Sequence, residues 1–499
     1  MDLLSNLALG FEVALSPQNL LFCFIGALVG TLIGVLPGLG PLATLSMLLP
    51  VTFYLPPTAA LIMLAGIYYG AQYGGSTTAI LVNMPGESSS VVTCLDGYQM
   101  ARNGRAGAAL AIAALGSLFA GTVSTMLVAV ASPLLGSIAL QFLAAEYFSL
   151  MVLGLVGSIV LARGSMIKAV GMAVLGLLLG IIGTDVNSGF QRFTFGVPEL
   201  SDGIGFVPVA MGLFGITEIL VNLERKEQRD VGAVIGSLMP TREEFRQAWP
   251  AVLRGTAIGS LLGVLPGGGA LLASFASYAF EKKIAKDPSR FGKGAVEGVA
   301  GPESANNAGA QTSFIPLLTL GIPSNAVMAI MVGAMMIHGI QPGPQVMTEQ
   351  PKLFWGLIAS MWIGNLMLVI INLPLIGIWV KLLTVPYRWL YPMILMLIAV
   401  GTYGVNNSWV EVMLAAGFGV VGYIFFKLDC EPAPLILALV LGPLMEENLR
   451  RALLISRGDP LIFVQRPISA VLLAMAAVLV IMFVLPSFKA TREEAFKEA

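Results

Sequence analysis

The chain has 499 residues, of which 57% are hydrophobic and only 11% charged, with a formal net charge of −1. Soluble domains average about 45–50% apolar and about 25% charged residues, so too little polar surface remains here to cover a globule of this size. That balance excludes an ordinary soluble enzyme and a disordered chain, and a pI near 6.0 offers no basic field to a nucleic acid. The expected class is an all-α polytopic membrane protein.

Residues 1–18 carry Asp2 and Glu12 but no Lys or Arg. The basic region of a secretion signal is therefore missing, and an outside N-terminus is favoured. Apolar runs follow near 19–36, 58–70, 107–132, 147–161, 166–184 and 204–222. After a polar stretch at 222–254 they resume near 255–266, 326–340, 353–373, 390–402, 410–426, 434–444 and 468–485. A helix needs about 20 residues to cross about 30 Å of hydrocarbon. Several runs are short or broken, which gives roughly 11–13 transmembrane segments.

Basic residues gather in a few loops. The longest holds Arg225, Lys226, Arg229, Arg242, Arg246 and Arg254; a second holds Lys282, Lys283, Lys286, Arg290 and Lys293. Smaller groups are Arg102 with Arg105, and Arg450, Arg451, Arg457 and Arg466. The positive-inside rule places these loops in the cytoplasm.

An internal repeat organises the chain. Residues 30–41 read GTLIGVLPGLGP and residues 259–270 read GSLLGVLPGGGA, with eight of twelve positions identical at an offset of 229. A weaker echo follows each copy: Gly75-Ser76-Thr77-Thr78 before Asn83-Met84-Pro85-Gly86, and Gln311-Thr312-Ser313 before Gly321-Ile322-Pro323-Ser324. The expected organisation is a first membrane repeat at 1–221, a cytoplasmic linker at 222–254, a second repeat at 255–466, and a C-terminal helix and tail at 467–499.

Glycine and proline, 57 and 29 residues, are frequent. Placed at matching points of two repeats, they point to broken helices of the kind that build a secondary transporter's binding site. A break at Pro37-Gly38 or Pro266-Gly267 frees backbone groups at membrane depth, where they need protein, water or a ligand. Half-helix N-termini suit an anion, exposed carbonyls suit Na⁺, and glycine lets a ligand approach the main chain. The segments 76–84 and 312–320 have nine residues each, too few to span as helices, and so fit re-entrant hairpins. The competing reading is that such small residues only line close helix contacts.

The stretches PGLGP…YYGAQYGGSTTAILVNMPGESSSVVTCLDGYQMARNGRAGAAL and GVLPGGGA…EGVAGPESANNAGAQTSFIPLLTLGIPSNA resemble the large membrane subunit of tripartite tricarboxylate transporters, the TctA family. The resemblance covers essentially the whole chain. It implies a bacterial inner-membrane permease that imports a carboxylate on an ion gradient. A small membrane subunit (TctB-like) and a periplasmic substrate-binding protein (TctC-like) are its implied partners. Carried onto this sequence, it places substrate binding at Pro37, Gly38, Gly40, Ser76, Thr77, Thr78, Asn83 and Gly86, with Pro85 and Glu87 beside them. The second-half group is Pro266, Gly267, Gly268, Gly269, Thr312, Ser313, Ser324 and Asn325, with Pro323. Glu303, Ser304, Asn306 and Asn307 have no clear counterpart before Ser76, and that asymmetry assigns them to the coupling ion, Na⁺ or H⁺.

Other features read as structural. Three scattered cysteines, Cys23, Cys94 and Cys430, make no disulfide framework, and the single histidine, His338, excludes clustered imidazoles. No resident cofactor or metal is expected, nor any enzyme activity. Asp96, in DGYQMARNGR, reads as part of a surface or partner-contact loop. Asp185, Glu218, Glu411, Glu446 and Glu447 fall near span ends, where solvation is the default. Asn365 lies mid-span and either bonds a neighbouring helix or lines a path. All six Trp lie at or beyond Trp249, as interface anchors would. The alternatives are a channel, which favours rings of one residue type, and an intramembrane enzyme, for which no catalytic constellation is visible.

Overall fold

A computed structural model describes residues 3–36, 40–139, 141–162, 165–185, 188–224, 237–265, 269–383 and 387–484. Proline opens three early helices, where its missing N–H is not needed: α2 (Pro17–Gly34), α3 (Pro41–Thr52) and α4 (Pro57–Val82), after α1 (Leu3–Ala14). A short turn at Ser88–Ser90 leads into α5 (Val91–Met100), which passes through a widened turn at Ala101–Arg105 into α6 (Ala106–Ala139). Then come α7 (Ala144–Leu161), α8 (Met166–Gly180), α9 (Phe206–Ala210) and α10 (Thr217–Glu224).

The second half repeats the early pattern with α11 (Arg242–Val264), α12 (Gly269–Ile284), α13 (Glu297–Thr312), α14 (Phe314–Leu320) and α15 (Ala326–Ile337). It continues with α16 (Gln345–Glu349), α17 (Pro351–Asn372), α18 (Ile376–Leu383) and α19 (Tyr387–Asn406). The last helices are α20 (Trp409–Lys427), α21 (Ala433–Ile455), α22 (Ile462–Gln465) and α23 (Pro467–Val484). Among the described residues, the strands form one short hairpin that pairs Gly183–Thr184 with Gln191–Arg192. Five stretches among the described residues are long and apolar enough to cross a membrane: Pro17–Gly34, Ser88–Ile138, Phe206–Glu224, Pro351–Asn372 and Trp409–Lys427, alongside shorter apolar helices. The molecule is an all-α polytopic membrane protein.

The two copies of the sequence repeat pack in the same way. Gly26, Gly30 and Gly34 of α2 lie against the carbonyls of Met63, Ile67 and Ala71 of α4, and a Cβ on any of them would stand 2.3–2.4 Å from the oxygen. Gly255, Gly259 and Gly263 of α11 meet the carbonyls of Gly301, Ala305 and Gly309 of α13 at 2.2–2.3 Å in the same sense. No Cβ survives such distances. The helix-borne glycines are thus small-residue contacts that bring backbones together. Equivalent partners differ by 229 residues along the glycine helix and by 238 along its neighbour.

The halves also interlock. The long helix α6 of the first half packs along α13 of the second, while α17 of the second packs on α4 and α2 of the first. Asn365 of α17, fully buried, faces the bare backbone of Gly121 on α6 and donates to the Met361 carbonyl at 2.8 Å.

Three expectations need correction. First, residues 76–82 do not begin a separate nine-residue segment; they are the last two turns of the 26-residue α4. Gly74 and Gly75 stay helical there because α2 and the Gly86–Glu87 backbone press on them, leaving no room for side chains. Residues 312–320 likewise run on from α13 through Ser313 into α14. The chain turns back only at Asn83 (φ 56°) and Gly321 (φ 73°), left-handed caps at equivalent places 238 residues apart.

Second, Asp96 is buried rather than in a surface loop. Its carboxylate accepts the N–H groups of Gly294 and Ala295 (2.8 and 2.7 Å) and the Tyr278 hydroxyl (3.0 Å), tying α5 to the segment before α13. Third, Trp355 and Trp379 are buried, at 1% and 3% exposure, so these two fill the core instead of anchoring it at an interface.

Charges near helix ends are paired. Arg450 holds Asp185 (3.0 Å) and Glu446 (2.6 Å), Arg192 holds Glu446 (2.9 Å), Arg254 holds Glu281 (2.6 Å) and Arg466 holds Glu146. Glu244 closes a capping box with Thr241 at the start of α11 and pairs with Arg105. Burial would raise its carboxyl pKa. The Thr241 N–H and hydroxyl and the Arg105 guanidinium outweigh that and hold it below the ordinary 4.5. Arg225, Lys226 and Arg229 lie outside the described residues.

Candidate functional site

Each broken helix leaves carbonyls without intrahelical partners. Thr78 of α4 donates toward the carbonyls of Gly34 (3.3 Å) and Val35 (3.0 Å) at the end of α2. Ser313 does the same in the second half, reaching the Gly263 carbonyl at 3.2 Å. Each hydroxyl also has a carbonyl of its own helix as an acceptor, Gly74 at 3.1 Å and Gly309 at 2.7 Å. Pro37, Gly38, Pro266, Gly267 and Gly268 lie outside the described residues.

Beyond each turn a helix begins, and here the halves diverge. In the first half Glu87 stands before Ser88–Ser90 and bends its carboxylate back over that turn. It accepts the Ser89 hydroxyl, and its own N–H donates to Ser90 Oγ at 3.4 Å. The aliphatic part of Glu87 packs on Gly75, and Gly86 fits against Gly34 and Gly75. In the second half the equivalent position is Asn325. Its amide oxygen caps α15 at the Met328 N–H (3.0 Å), and its nitrogen donates to Ser313 Oγ (3.1 Å). Gly269, the first residue of α12 at φ 61°, lies against this same side chain.

The N-termini of α12 and α15 therefore meet at Gly269 and Asn325, with the buried Ser324 hydroxyl beside them and without a hydrogen-bond partner. The Glu87 carboxylate fills the equivalent position in the first half, and among the described residues none does in the second. Gly40 of the first half has open space where a Cβ would stand. Thr312 bonds its own helix at Ala308 (3.0 Å) and crowds Gly263.

Glu303 is completely buried where α4, α5 and α13 meet. It accepts the hydroxyls of Ser76 (2.5 Å) and Thr93 and the Asn306 amide (3.4 Å). Asn307 donates to Asn306 Oδ1 (2.6 Å), to the Glu303 carbonyl (3.0 Å) and to Ser117 Oγ of α6 (2.7 Å). Among the described residues no Lys or Arg pairs with the Glu303 carboxylate. The sequence-derived ion group is thus gathered except for Ser304, whose hydroxyl turns to the Ala300 carbonyl (2.8 Å) against Gly116. Ser76, of the first-half hydroxyl segment, is brought to the same cluster.

Thr93, Ser117, Tyr73 and Asn372 were not singled out from sequence. Isolated hydroxyls and amides in apolar runs carry no periodic signal, and each reaches the site from a different helix. Among the described residues no cluster of His, Cys, Asp and Glu could hold a metal ion by those side chains.

The site thus gathers a buried carboxylate with neutral partners, two converging helix N-termini and a packing motif repeated in both halves. The family model "Tripartite tricarboxylate transporter TctA family" matches residues 20–437. The chain belongs to that family. Two similar proteins are from Agrobacterium vitis, both described as uncharacterized. One, from the TAR-I ttuC' 3' region, is 60% identical over 499 residues, covering 100% of this chain and 99% of the relative. The other, from the TAR-II ttuC' 3' region, is 61% identical over 240 residues, covering 48% of this chain and 99% of the relative. No solved structure matches. Membership makes the protein a multi-pass subunit of a tricarboxylate-type transporter.

Proposed function

We propose that this subunit imports a tricarboxylate or related carboxylate across the bacterial inner membrane, driven by an ion gradient, with Na⁺ as the coupling ion. A TctC-like periplasmic protein delivers the substrate and a TctB-like small subunit completes the membrane assembly. Family membership supports this division of labour. Neither partner is read from the coordinates.

The observation that carries the reading is the asymmetry between Glu87 and Asn325. The start of a helix attracts anions through its free N–H groups and its dipole. In the first half Glu87 occupies that field from within. In the second half two such ends meet around a neutral Asn325 and an unpartnered Ser324 hydroxyl. One carboxylate of the substrate sits there, on Gly269, Ser313, Ser324 and Asn325. The site has no Arg or Lys among the residues named, so affinity comes from backbone dipoles, hydroxyls and a co-bound cation. Glu303, with Asn306 and Asn307, supplies the negative charge that draws the cation in.

The test is uptake of radiolabelled citrate and smaller dicarboxylates by proteoliposomes holding the subunit with its neighbours, with and without an inward Na⁺ gradient. Accumulation above equilibrium that collapses without Na⁺ supports the proposal. Passive equilibration identifies a channel, and chemical conversion without uptake identifies an enzyme.

A further inference from the structure

A small cleft lies beside Glu303, lined by Tyr73, Ser76 and Thr77 of α4, Ser117 of α6 and Asn372 of α17, with aliphatic walls. About 10 Å³ of it is open to the centre of a water. That is room for about one water-sized sphere, far too little for any carboxylate substrate.

The protons of Ser76, Thr77, Ser117 and Asn372 are already committed. Ser76 Oγ donates to Glu303 Oε2 (2.5 Å), with the Gln72 carbonyl at 3.0 Å as its alternative acceptor. Thr77 Oγ1 donates to the Tyr73 carbonyl (3.2 Å), and Ser117 Oγ to the Glu303 carbonyl (3.3 Å). The Asn372 nitrogen donates to the Leu368 carbonyl (2.9 Å) and to Thr31 Oγ1 (3.3 Å), which fixes the orientation of the amide. Its oxygen has no hydrogen-bond partner, and neither has the Tyr73 hydroxyl, although both residues are only 4% exposed. What remains to face the cleft is the lone pairs of Ser76, Thr77, Ser117 and Asn372, together with the Tyr73 hydroxyl. Unsatisfied acceptors buried in a membrane protein are costly, and oxygen-bearing side chains lining one water-sized cleft favour a cation.

We infer that this cleft binds one dehydrated Na⁺ through the side-chain oxygens of Tyr73, Ser76, Thr77, Ser117 and Asn372, with its charge balanced by Glu303 across the Ser76 hydroxyl. The inference rests on the Na⁺ coupling proposed above and locates the ion. Na⁺ does not replace the hydrogen bonds of Glu303; it sits one hydroxyl away. The site joins three helices from both halves, so filling it clamps α17 and α6 onto α4.

The experiment needs no transport substrate. The purified full chain in detergent is titrated with NaCl against KCl at constant ionic strength, and thermal unfolding is followed. The expected result is stabilisation specific to Na⁺. Its midpoint concentration rises at least tenfold in Asn372→Leu and in Ser117→Ala, and falls or holds in Asn372→Asp. Thr31→Val, which removes the longer of the two bonds of the Asn372 nitrogen and leaves the Leu368 carbonyl to hold the amide, keeps the wild-type midpoint; should Asn372→Leu fail to fold, Ser117→Ala and Tyr73→Phe decide. Midpoints within twofold of wild type in these variants, with a large change in Asn307→Ala, overturn this site and leave Na⁺ coupling standing. No difference between NaCl and KCl in the wild type, with uptake intact, overturns both the site and Na⁺ as the coupling ion.

Discussion

Replacing Glu303 by glutamine separates its charge from its shape. The side chain is fully buried, and its two oxygens accept Ser76, Thr93 and Asn306. Glutamine keeps the volume and one acceptor, while its amide can donate to Ser76, whose proton then turns to the Gln72 carbonyl at 3.0 Å. The fold therefore survives, and relief from a buried, unpaired charge makes the variant as stable as wild type or more so. The cation loses its counter-charge. A unit charge about 5 Å away at an effective dielectric near 20 contributes about 3 kcal/mol, or roughly 10²-fold in the Na⁺ midpoint. Thermal unfolding across an NaCl series reads both quantities at once. A glutamine variant with wild-type Na⁺ dependence would refute the electrostatic role given to Glu303. One that unfolds would refute the claim that only the charge is special.

Three further outcomes follow from other parts of the molecule. Asn325→Asp keeps a good helix cap but places a carboxylate where Glu87 already sits in the other half; uptake should fall at least tenfold while the melting temperature stays put, and normal uptake would remove Asn325 from the anion site. Gly259→Ala puts a Cβ 2.2 Å from the Ala305 carbonyl, forcing α11 from α13 at about 1–3 kcal/mol, whereas Gly417→Ala, with nothing within 4 Å, should be neutral; comparable melting temperatures for the two would contradict the packing account. The capping carboxyl of Glu244 is held below 4.5 when folded, so its stabilisation is present above that value and lost as pH falls through the lowered folded pKa. Glu244→Gln should flatten the acid limb of stability below about pH 4.5, and an unchanged limb would count against the Arg105–Glu244 pairing.

The membrane class, the helical fold and the repeat were legible because they rest on features a linear reading can measure: mean composition, run length and identity at a fixed offset. Duplication of the glycine motif marked two equivalent packing contacts. Its helix-borne members, such as Gly30 and Gly259, seat backbone on backbone, while helix starts lie beyond the turns at Asn83 and Gly321 and at Gly269. Length misled at 76–84, since counting from the hydroxyls ignored that α4 had begun nearly twenty residues earlier.

Glu303 and Asn307 stood out because their cluster has no clear counterpart before Ser76. Thr93, Ser117 and Asn372 did not, because each looks ordinary until α5, α6 and α17 bring it to α13 and α4. Asp96 was misread for the same reason. Its partners, Tyr278 and the backbone at 294–295, are nearly two hundred residues away.

The central claim is that carboxylate and Na⁺ move together through this subunit. The most direct measurement follows ²²Na⁺ and a ¹⁴C-labelled carboxylate in the same proteoliposomes, with the binding protein and small subunit present. The account predicts that both labels enter at a fixed ratio, and that Glu303→Gln abolishes ²²Na⁺ entry driven by the carboxylate. Carboxylate accumulation without any ²²Na⁺ entry would contradict it.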